Sequence, residues 1–173
     1  MQAIAIVPGT PDSVHLRDLP TPALDAVPGD RGVRVRLVRV GLCGTDADLA
    51  AGRYGRAPVG EDFLVLGHES LGRVLEVADA VDTLSPGQLV VITIRRPGSS
   101  SHDRLGRPDL SSDPVFIEAG ISGAHGYMVT ETVVDARDLV PVPAELEPVG
   151  ILLSLIHISE PTRHTSQSRM PSC

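Results

Sequence analysis

The sequence predicts a mainly β domain that folds as a barrel or a sandwich. Three observations support this class: short apolar stretches recur along the chain, glycine and proline separate them, and one stretch alternates between aliphatic and charged residues. The chain has 173 residues, of which 42% are hydrophobic, so it can bury one good core. We therefore expect a single folded domain.

The first apolar stretches predict a β-hairpin. Residues 2–7 and 14–18 are short and apolar, and the segment between them, Pro-Gly-Thr-Pro-Asp, is rich in turn-forming residues. In the next stretch, residues 33–37, aliphatic residues alternate with arginines. This period of two predicts a strand with its aliphatic side chains on the core and its arginines in water.

A short helix and several more strands are expected after this point. Thr45 or Asp46 can cap the helix, which extends through residues 49–51, and Gly52 lies where a helix end is expected. Residues 69–77, 89–94 and 126–134 predict further strands, and residues 140–143 predict an extended closing segment.

The charge composition narrows the classes of partner. All 15 basic residues are arginine, and the formal net charge is −7. This acidic balance argues against nucleic acid as a partner. A surface without lysine suits a high-salt cytoplasm, but a GC-rich genome also favours arginine over lysine, and both explanations stay open.

Membrane and secretion signals are not expected. The start lacks a basic segment followed by an apolar core, and the chain has no run of about 18 apolar residues. Cys43 and Cys173 are the two cysteines, too few for a disulfide framework. We expect a cytoplasmic protein without a membrane partner.

Cys43, His68 and Glu69 are the candidate metal ligands. Thiolate, imidazole and carboxylate groups can share one tetrahedral zinc site, and glycines surround all three residues. On chemistry alone the alternative stays open, because a lone cysteine is commonly a small buried hydrophobe and a lone histidine is commonly only hydrogen-bonded.

Longer segments carry a resemblance to a known family. They are Met-Gln-Ala-Ile-Ala at residues 1–5, Val-Gly-Leu-Cys-Gly-Thr-Asp at 40–46, Gly-Arg-Tyr-Gly at 52–55, Leu-Val-Leu-Gly-His-Glu at 64–69 and Gly-Ala-His-Gly-Tyr-Met at 123–128. In this order and spacing, the chain from residue 1 to about 152 resembles the zinc-dependent medium-chain dehydrogenases, most closely their glucose 1-dehydrogenase group.

The resemblance implies a fold and a set of site residues. Residues 1–152 would form a GroES-like catalytic barrel with short helices, truncated before a Rossmann domain. Cys43, Thr45, His68 and Glu69 would form the catalytic set, with zinc on Cys43 and His68. Glu69 would bind zinc directly, exchange with water, or orient the other ligands, and the alternative is a solvated acid at the start of a strand. Thr45 would hydrogen-bond the reacting alcohol and relay its proton, a role compatible with helix capping.

The resemblance also bears on the substrate, the cofactor and the assembly. Glu118 would meet sugar hydroxyls, with a simply solvated acid as the alternative, and His125 is expected to satisfy loop backbone groups. The intact parent would use NAD(P) to oxidise a small-molecule sugar or alcohol, and we expect it to be a homo-oligomer. Two alternatives stay open: a dehydrogenase of another polyol or alcohol, and a stand-alone, non-enzymatic GroES-like metal-binding module.

One departure from the family lies in residues 95–114. Many relatives carry a structural zinc on four closely spaced cysteines there, whereas this segment contains no cysteine. A cysteine-rich zinc site is therefore excluded, although His102 with Asp103 or Asp109 could hold a metal weakly. We expect a mobile polar loop.

A second departure begins at Leu153, which is followed by Ser154 where the family continues with Leu-Glu-Pro or Leu-Gln-Pro and a further zinc ligand. No Gly-x-Gly-x-x-Gly dinucleotide motif occurs. Residues 153–163 resemble the translation of a transposase sequencing adapter, and residues 168–172 match the outer primer of the same library design. We expect residues 153–173 to be an artefactual tail and the fragment itself to be inactive.

Overall fold

The computed structural model describes residues 1–143 and 145–146, and within them the fold is mainly β, as predicted. The strands are β1 (Gln2–Ile6), β2 (His15–Asp18), β3 (Gly32–Gly41), β4 (Leu64–Val65), β5 (Glu69–Val77), β6 (Leu89–Ile92), β7 (Arg95–Arg96), β8 (Ile117–Ala119), β9 (Gly123–Ala124), β10 (Glu131–Asp135) and β11 (Leu139–Pro141). The α-helices are α1 (Gly44–Ala50) and α2 (Ser101–Arg104), and 3₁₀ turns occur at Leu24–Ala26, Pro108–Leu110 and Ala136–Asp138.

The strands form three sheets. The largest has the order β10-β3-β5-β6-β11, and the two smaller ones have the orders β2-β1-β4 and β7-β8-β9. The main core lies on the five-stranded sheet, where the predicted alternation of β3 puts Val33 and Val35 fully inside. Arg34 and Arg36 pair instead with Glu76 and Glu131 at the surface, so the predicted orientation of this strand is confirmed.

Several predicted elements match the structure closely. Strands β1 and β2 pair antiparallel as the expected hairpin, and β5 has the predicted bounds. Gly52 follows α1 with a φ of 70°, which is the left-handed conformation of a helix end. The cap at the other end of α1 was predicted wrongly: the cap is Cys43, whereas Asp46 closes the capping box from the first turn and Thr45 lies inside the helix.

The strand predicted for residues 126–134 is only half right, because regular pairing begins at Glu131. Before it, the chain crosses from one sheet to another and changes partners. The Gly126 amide donates to the Val65 carbonyl, and the Thr130 amide donates to the Gln2 carbonyl. A segment that bonds to different strands in turn keeps its hydrogen bonds without forming one continuous ladder.

The predicted polar loop at residues 95–114 has structure of its own. It contains β7, α2 and the 3₁₀ turn Pro108–Leu110. Its centre is Asp103, which is buried and accepts hydrogen bonds from the hydroxyls of Ser100 and Ser111 at 2.6 and 2.7 Å. The expected polar loop therefore contains short regular elements that were not predicted, and a network of carboxylate and hydroxyl groups organises this lobe.

The remaining predictions concern membrane spans and the C-terminal tail. Within the described residues, no helix is long and apolar enough to cross a membrane. The predicted artefactual tail at residues 153–173, with Cys173, and the missing zinc-ligand segment lie outside the described residues.

Candidate metal centre

Strand pairing brings the three predicted metal ligands together. Strands β3 and β5 are antiparallel, and Gly41 at the end of β3 pairs with Glu69 at the start of β5. Cys43 follows β3 by two residues and His68 precedes β5 by one, so both lie at the same end of this strand pair. Residues 25 positions apart in sequence therefore share one site.

The donor atoms have the spacing of a metal site. The Cys43 sulfur lies 3.2 Å from Nε2 of His68, and one donor atom each from Cys43, His68 and Glu69 all lie within 4.8 Å of one another. His68 is buried, whereas Cys43 and Glu69 are half-buried. Thiolate, imidazole and carboxylate at these distances are a donor set that fits zinc.

One oxygen of the Glu69 carboxylate, Oε2, is buried without a hydrogen-bond partner or a cation beside it among the described residues. This oxygen fits against the strand only because residue 41 is glycine: a Cβ there would lie 2.4 Å from Oε2. A buried carboxylate oxygen without a partner is costly, and a cation at the cluster would satisfy it.

Asp46 is a site residue that the sequence reasoning used only as a possible helix cap. It is buried, and its Oδ2 accepts a hydrogen bond from the Cys43 amide at 2.9 Å. Its Oδ1 lies 3.5 Å from Nδ1 of His68, a long ionic contact on the ring edge opposite the sulfur. The signal that could have revealed this role is its position in the first turn of a helix that starts at a ligand.

Asp46 and His68 each favour the charged form of the other. Burial raises the pKa of Asp46, but contacts with His68 and the Cys43 amide outweigh it, so the pKa is lowered. Burial likewise lowers the pKa of His68, but Asp46 and the Cys43 sulfur outweigh it and raise the pKa to about 9. The pocket thus stabilises positive charge on His68, and a metal ion would replace that proton.

Thr45 lies directly beside the cluster. Its backbone amide points to the Cys43 sulfur at 3.4 Å, as expected for the first turn of a helix capped by Cys43. The proton-relay role of the Thr45 hydroxyl stays a prediction.

A cleft of about 1070 Å³ opens beside His68 and Glu69, and Glu118 lines it. Glu118 is half-buried and forms an ion pair with Arg95 at 2.6 Å, so it is not a simply solvated acid. The structure therefore places Glu118, the predicted sugar-binding residue, on the same cleft as His68 and Glu69, two of the three candidate metal ligands.

Among the described residues, His125 and His102 lie outside the candidate metal cluster. His125 accepts a hydrogen bond from the Val65 amide at 3.2 Å and pairs with Glu61 at 3.1 Å, so its expected role in satisfying the backbone is confirmed. Among the described residues, His102 and Asp103 belong to no cluster of three metal donors. The Asp103 Oδ2 atom is already used by serine hydroxyls, and the Asp109 side chain lies outside the description.

The alcohol dehydrogenase GroES-like domain family matches residues 29–144. The chain belongs to this family. Glucose 1-dehydrogenase from Methanocella arvoryzae is 41% identical over 162 residues, which cover 92% of this chain and 44% of that protein. Glucose 1-dehydrogenase 1 from Haloterrigena turkmenica is 43% identical over 164 residues, covering 92% of this chain and 43% of that protein.

A solved structure extends the similarity to three dimensions. Haloferax mediterranei glucose dehydrogenase, in complex with NADP, Zn and gluconolactone, has a TM-score of 0.78 and 35% identity to this chain. The match covers 99% of this chain and 48% of that structure. This member of the GroES-like family thus spans less than half the length of the relatives that it matches.

Proposed function

We propose that this chain is the zinc-binding catalytic part of an NAD(P)-linked glucose 1-dehydrogenase. The observation that carries the proposal is the cluster of Cys43, His68 and Glu69 at the edge of a cleft that also holds Glu118. Glucose dehydrogenases at about 40% identity support the choice of substrate.

Zinc fits this site on two grounds. The three side chains supply sulfur, nitrogen and oxygen donors of the types that zinc accepts, within 4.8 Å of one another. The buried, unpartnered Oε2 atom of Glu69 would gain a cation beside it. Cys43 and His68 would hold the ion, and Glu69 would complete or orient the set.

The groups of this chain would act around the C1 hydroxyl of the sugar. When bound, the zinc ion supplies a Lewis acid beside the C1 oxygen and the dinucleotide supplies the hydride acceptor. The Thr45 hydroxyl would accept the proton that leaves the C1 oxygen and pass it towards water. Loss of this proton and of the C1 hydride converts the cyclic sugar into its lactone. Glu118 would accept a hydrogen bond from another ring hydroxyl and orient C1.

The remaining features of the proposal concern the whole protein. We assign no dinucleotide-binding residue to this chain, and both NAD and NADP stay open. We place the enzyme in the cytoplasm as a homo-oligomer that acts on a small-molecule sugar and has no nucleic-acid or membrane partner. The acidic composition supports the expected absence of a nucleic-acid partner.

We also propose that residues 1–152 are the biological domain and that residues 153–173 are translated adapter. The resemblance of residues 153–163 to a transposase adapter supports this division. Sequencing the source DNA across codons 140–175 with outside primers tests it. A frame that continues past residue 152 into Glu-Pro or Gln-Pro agrees with the proposal. Genomic DNA that encodes Ser154 to Cys173 and a stop codon contradicts it.

Activity is tested in a chimera that joins residues 1–146 of this chain to the remaining part of the Haloferax mediterranei enzyme, hereafter the chimera. We expect glucose-dependent NADP reduction by the chimera and none when Cys43 is replaced by serine. Oxidation of another polyol instead of glucose would favour the related dehydrogenase. Stoichiometric zinc in a stable domain that supports no oxidation of any polyol would favour the stand-alone metal-binding module.

A further inference from the structure

Arg95 and Glu118 form a cross-strand pair at the cleft. They are direct partners in the antiparallel register of β7 and β8. The Nε and Nη2 atoms of Arg95 lie 3.0 and 2.6 Å from the same carboxylate oxygen, Oε1 of Glu118. The pair is therefore one-sided: two donors share one oxygen, whereas a fork-to-fork pair would occupy both.

The second oxygen of Glu118 is left without a partner. Among the described residues, no group donates a hydrogen bond to Oε2. Oε2 is also not fully buried, so it keeps some contact with solvent. The Glu118 side chain is 20% exposed and lines the cleft that also reaches His68 and Glu69. An ionised carboxylate oxygen can only accept hydrogen bonds, so a free Oε2 on a residue that lines the cleft suits a hydroxyl.

Arg95 is itself held in place. Its guanidinium lies over the ring of Phe116, with 4.1 Å between the guanidinium carbon and the ring centroid. The next residue, Arg96, donates to the Thr93 carbonyl at 2.8 Å and also contacts the Tyr127 hydroxyl. The contact with Phe116 holds the Arg95 side chain, and the contacts of Arg96 hold the strand that carries it. Arg95 therefore loses little further side-chain entropy when a substrate binds.

The turn after Glu118 packs on the backbone of Gly67, in the connection between β4 and β5. Gly120 has a φ of 76°, and a Cβ there would lie 2.4 Å from the Gly67 carbonyl oxygen. The Tyr127 amide donates to this same carbonyl at 2.8 Å. Since Gly67 precedes His68, close backbone packing sets the distance between the Glu118 turn and the metal centre.

We propose that Arg95 is a positioning residue that holds Oε1 of Glu118 and leaves Oε2 to accept a hydrogen bond from a substrate ring hydroxyl. This arrangement makes the cleft selective for polyhydroxy substrates, because an alcohol with a single hydroxyl has no second group to offer. The inference rests on the proposed function for its substrate class, and the roles of Glu118 and Arg95 are separated by the experiment below.

The test compares Arg95→Gln and Arg95→Lys in the chimera, with Arg36→Gln as a matched control. Arg36 also forms a cross-strand pair with a glutamate, Glu131 at 3.2 Å, but on β3 and β10 away from the cleft. The substrates are glucose and glucoses that lack one ring hydroxyl. Zinc stoichiometry and melting temperature establish that each variant is folded.

In the unmodified chimera, we expect removal of one particular hydroxyl from the sugar to lower kcat/KM roughly tenfold or more. The reason is that the polar group that binds this hydroxyl is left unpaired when the hydroxyl is missing. In Arg95→Gln this penalty should shrink to within about twofold, while glucose itself loses activity mainly through KM. Arg95→Lys should restore part of the penalty, since lysine keeps the charge but not the fork. Arg36→Gln should behave like the unmodified chimera.

Two results would overturn the inference: an equal loss for glucose and every deoxyglucose in Arg95→Gln, or no loss for glucose. If Arg95→Gln does not fold, Arg95→Lys decides: its hydroxyl penalty should be smaller than in the unmodified chimera, and an equal penalty would overturn the role of Arg95. Glu118→Ala, which removes the acceptor itself, should erase the penalty. If the chimera prefers another polyol, the proposed substrate fails, and the same comparison with that polyol and its deoxy analogues still decides the role of Arg95.

Discussion

Asp46 holds Cys43 with one carboxylate oxygen and faces His68 with the other, at 2.9 Å from the Cys43 amide and 3.5 Å from the imidazole Nδ1. One buried acid thus orients two of the proposed zinc ligands from a helix whose cap is itself a ligand. Groups that orient metal ligands fix the imidazole tautomer and raise its basicity.

The first prediction is that Asp46→Asn weakens zinc binding by roughly 10- to 100-fold. Asparagine keeps an oxygen that can accept from the Cys43 amide, but it removes the charge that faces His68. Competition with a chromophoric zinc chelator measures the affinity. Asp48→Asn is the control, because Asp48 lies on the same helix and pairs outward with Arg53. Equal affinities for the two variants would show that the Asp46 charge plays no part.

The second prediction concerns Glu69. In Gly41→Ala, a Cβ would lie 2.4 Å from the Glu69 Oε2 atom, so the carboxylate must move. If Glu69 contributes to the metal site, zinc affinity should fall roughly tenfold. Gly44→Ala is the control, since a Cβ at Gly44 meets nothing within 4 Å. Unchanged affinity in Gly41→Ala, with the fold intact by circular dichroism, would exclude Glu69 from the site.

The third prediction separates backbone strain from packing at Gly120. Gly9 and Gly120 have nearly the same φ, 78° and 76°, but a Cβ would meet nothing at Gly9 and the Gly67 carbonyl oxygen at Gly120. We expect Gly9→Ala to cost about 1 kcal/mol in unfolding free energy and Gly120→Ala about 2–4 kcal/mol. Urea unfolding of both variants gives the difference. Equal costs would mean that the Glu118 turn is not packed tightly on the backbone of Gly67.

The sequence predicted β1, β2, β3, β5 and the donor cluster well because their signals lie within short segments. Alternation in residues 33–37 identifies a half-buried strand, and the segments around Cys43 and His68 carry the family pattern. The pairings of Asp46 with His68 and of Arg95 with Glu118 could not be predicted. They join residues 22 and 23 positions apart, and their approach is set by strand register and by glycines that leave no room for a Cβ.

The fourth prediction is that the lobe at residues 95–114 holds its structure without metal. Hydrogen bonds from the Ser100 and Ser111 hydroxyls lower the pKa of Asp103 despite its burial, and the same bonds join α2 to the turn that follows. Chelation with EDTA should leave amide exchange in residues 98–106 unchanged. Asp103→Asn should speed that exchange by roughly tenfold or more. Faster exchange after EDTA treatment of the unmodified chain would instead reveal a metal in the lobe.

The fifth prediction is an acid-sensitive ion pair at Asp135. Burial raises the pKa of Asp135, but Arg137 and Arg31 outweigh it and lower the pKa to about 2. The folded-state pKa lies below the unfolded value of about 4, so the stabilisation is complete above pH 4 and is lost as the pH falls towards 2. Asp135→Asn should therefore cost about 1–2 kcal/mol at pH 7, a figure discounted because Arg137 is largely exposed.

Unfolding by urea at several pH values tests the sign of this effect. The difference in stability between the unmodified chain and Asp135→Asn should be constant from pH 7 to about 5 and should shrink steadily below pH 4. Asp79→Asn is the control, since Asp79 is exposed and has no ion pair among the described residues. A difference that persists unchanged to pH 2 would show that packing of the Asp135 side chain, and not its charge, provides the stability.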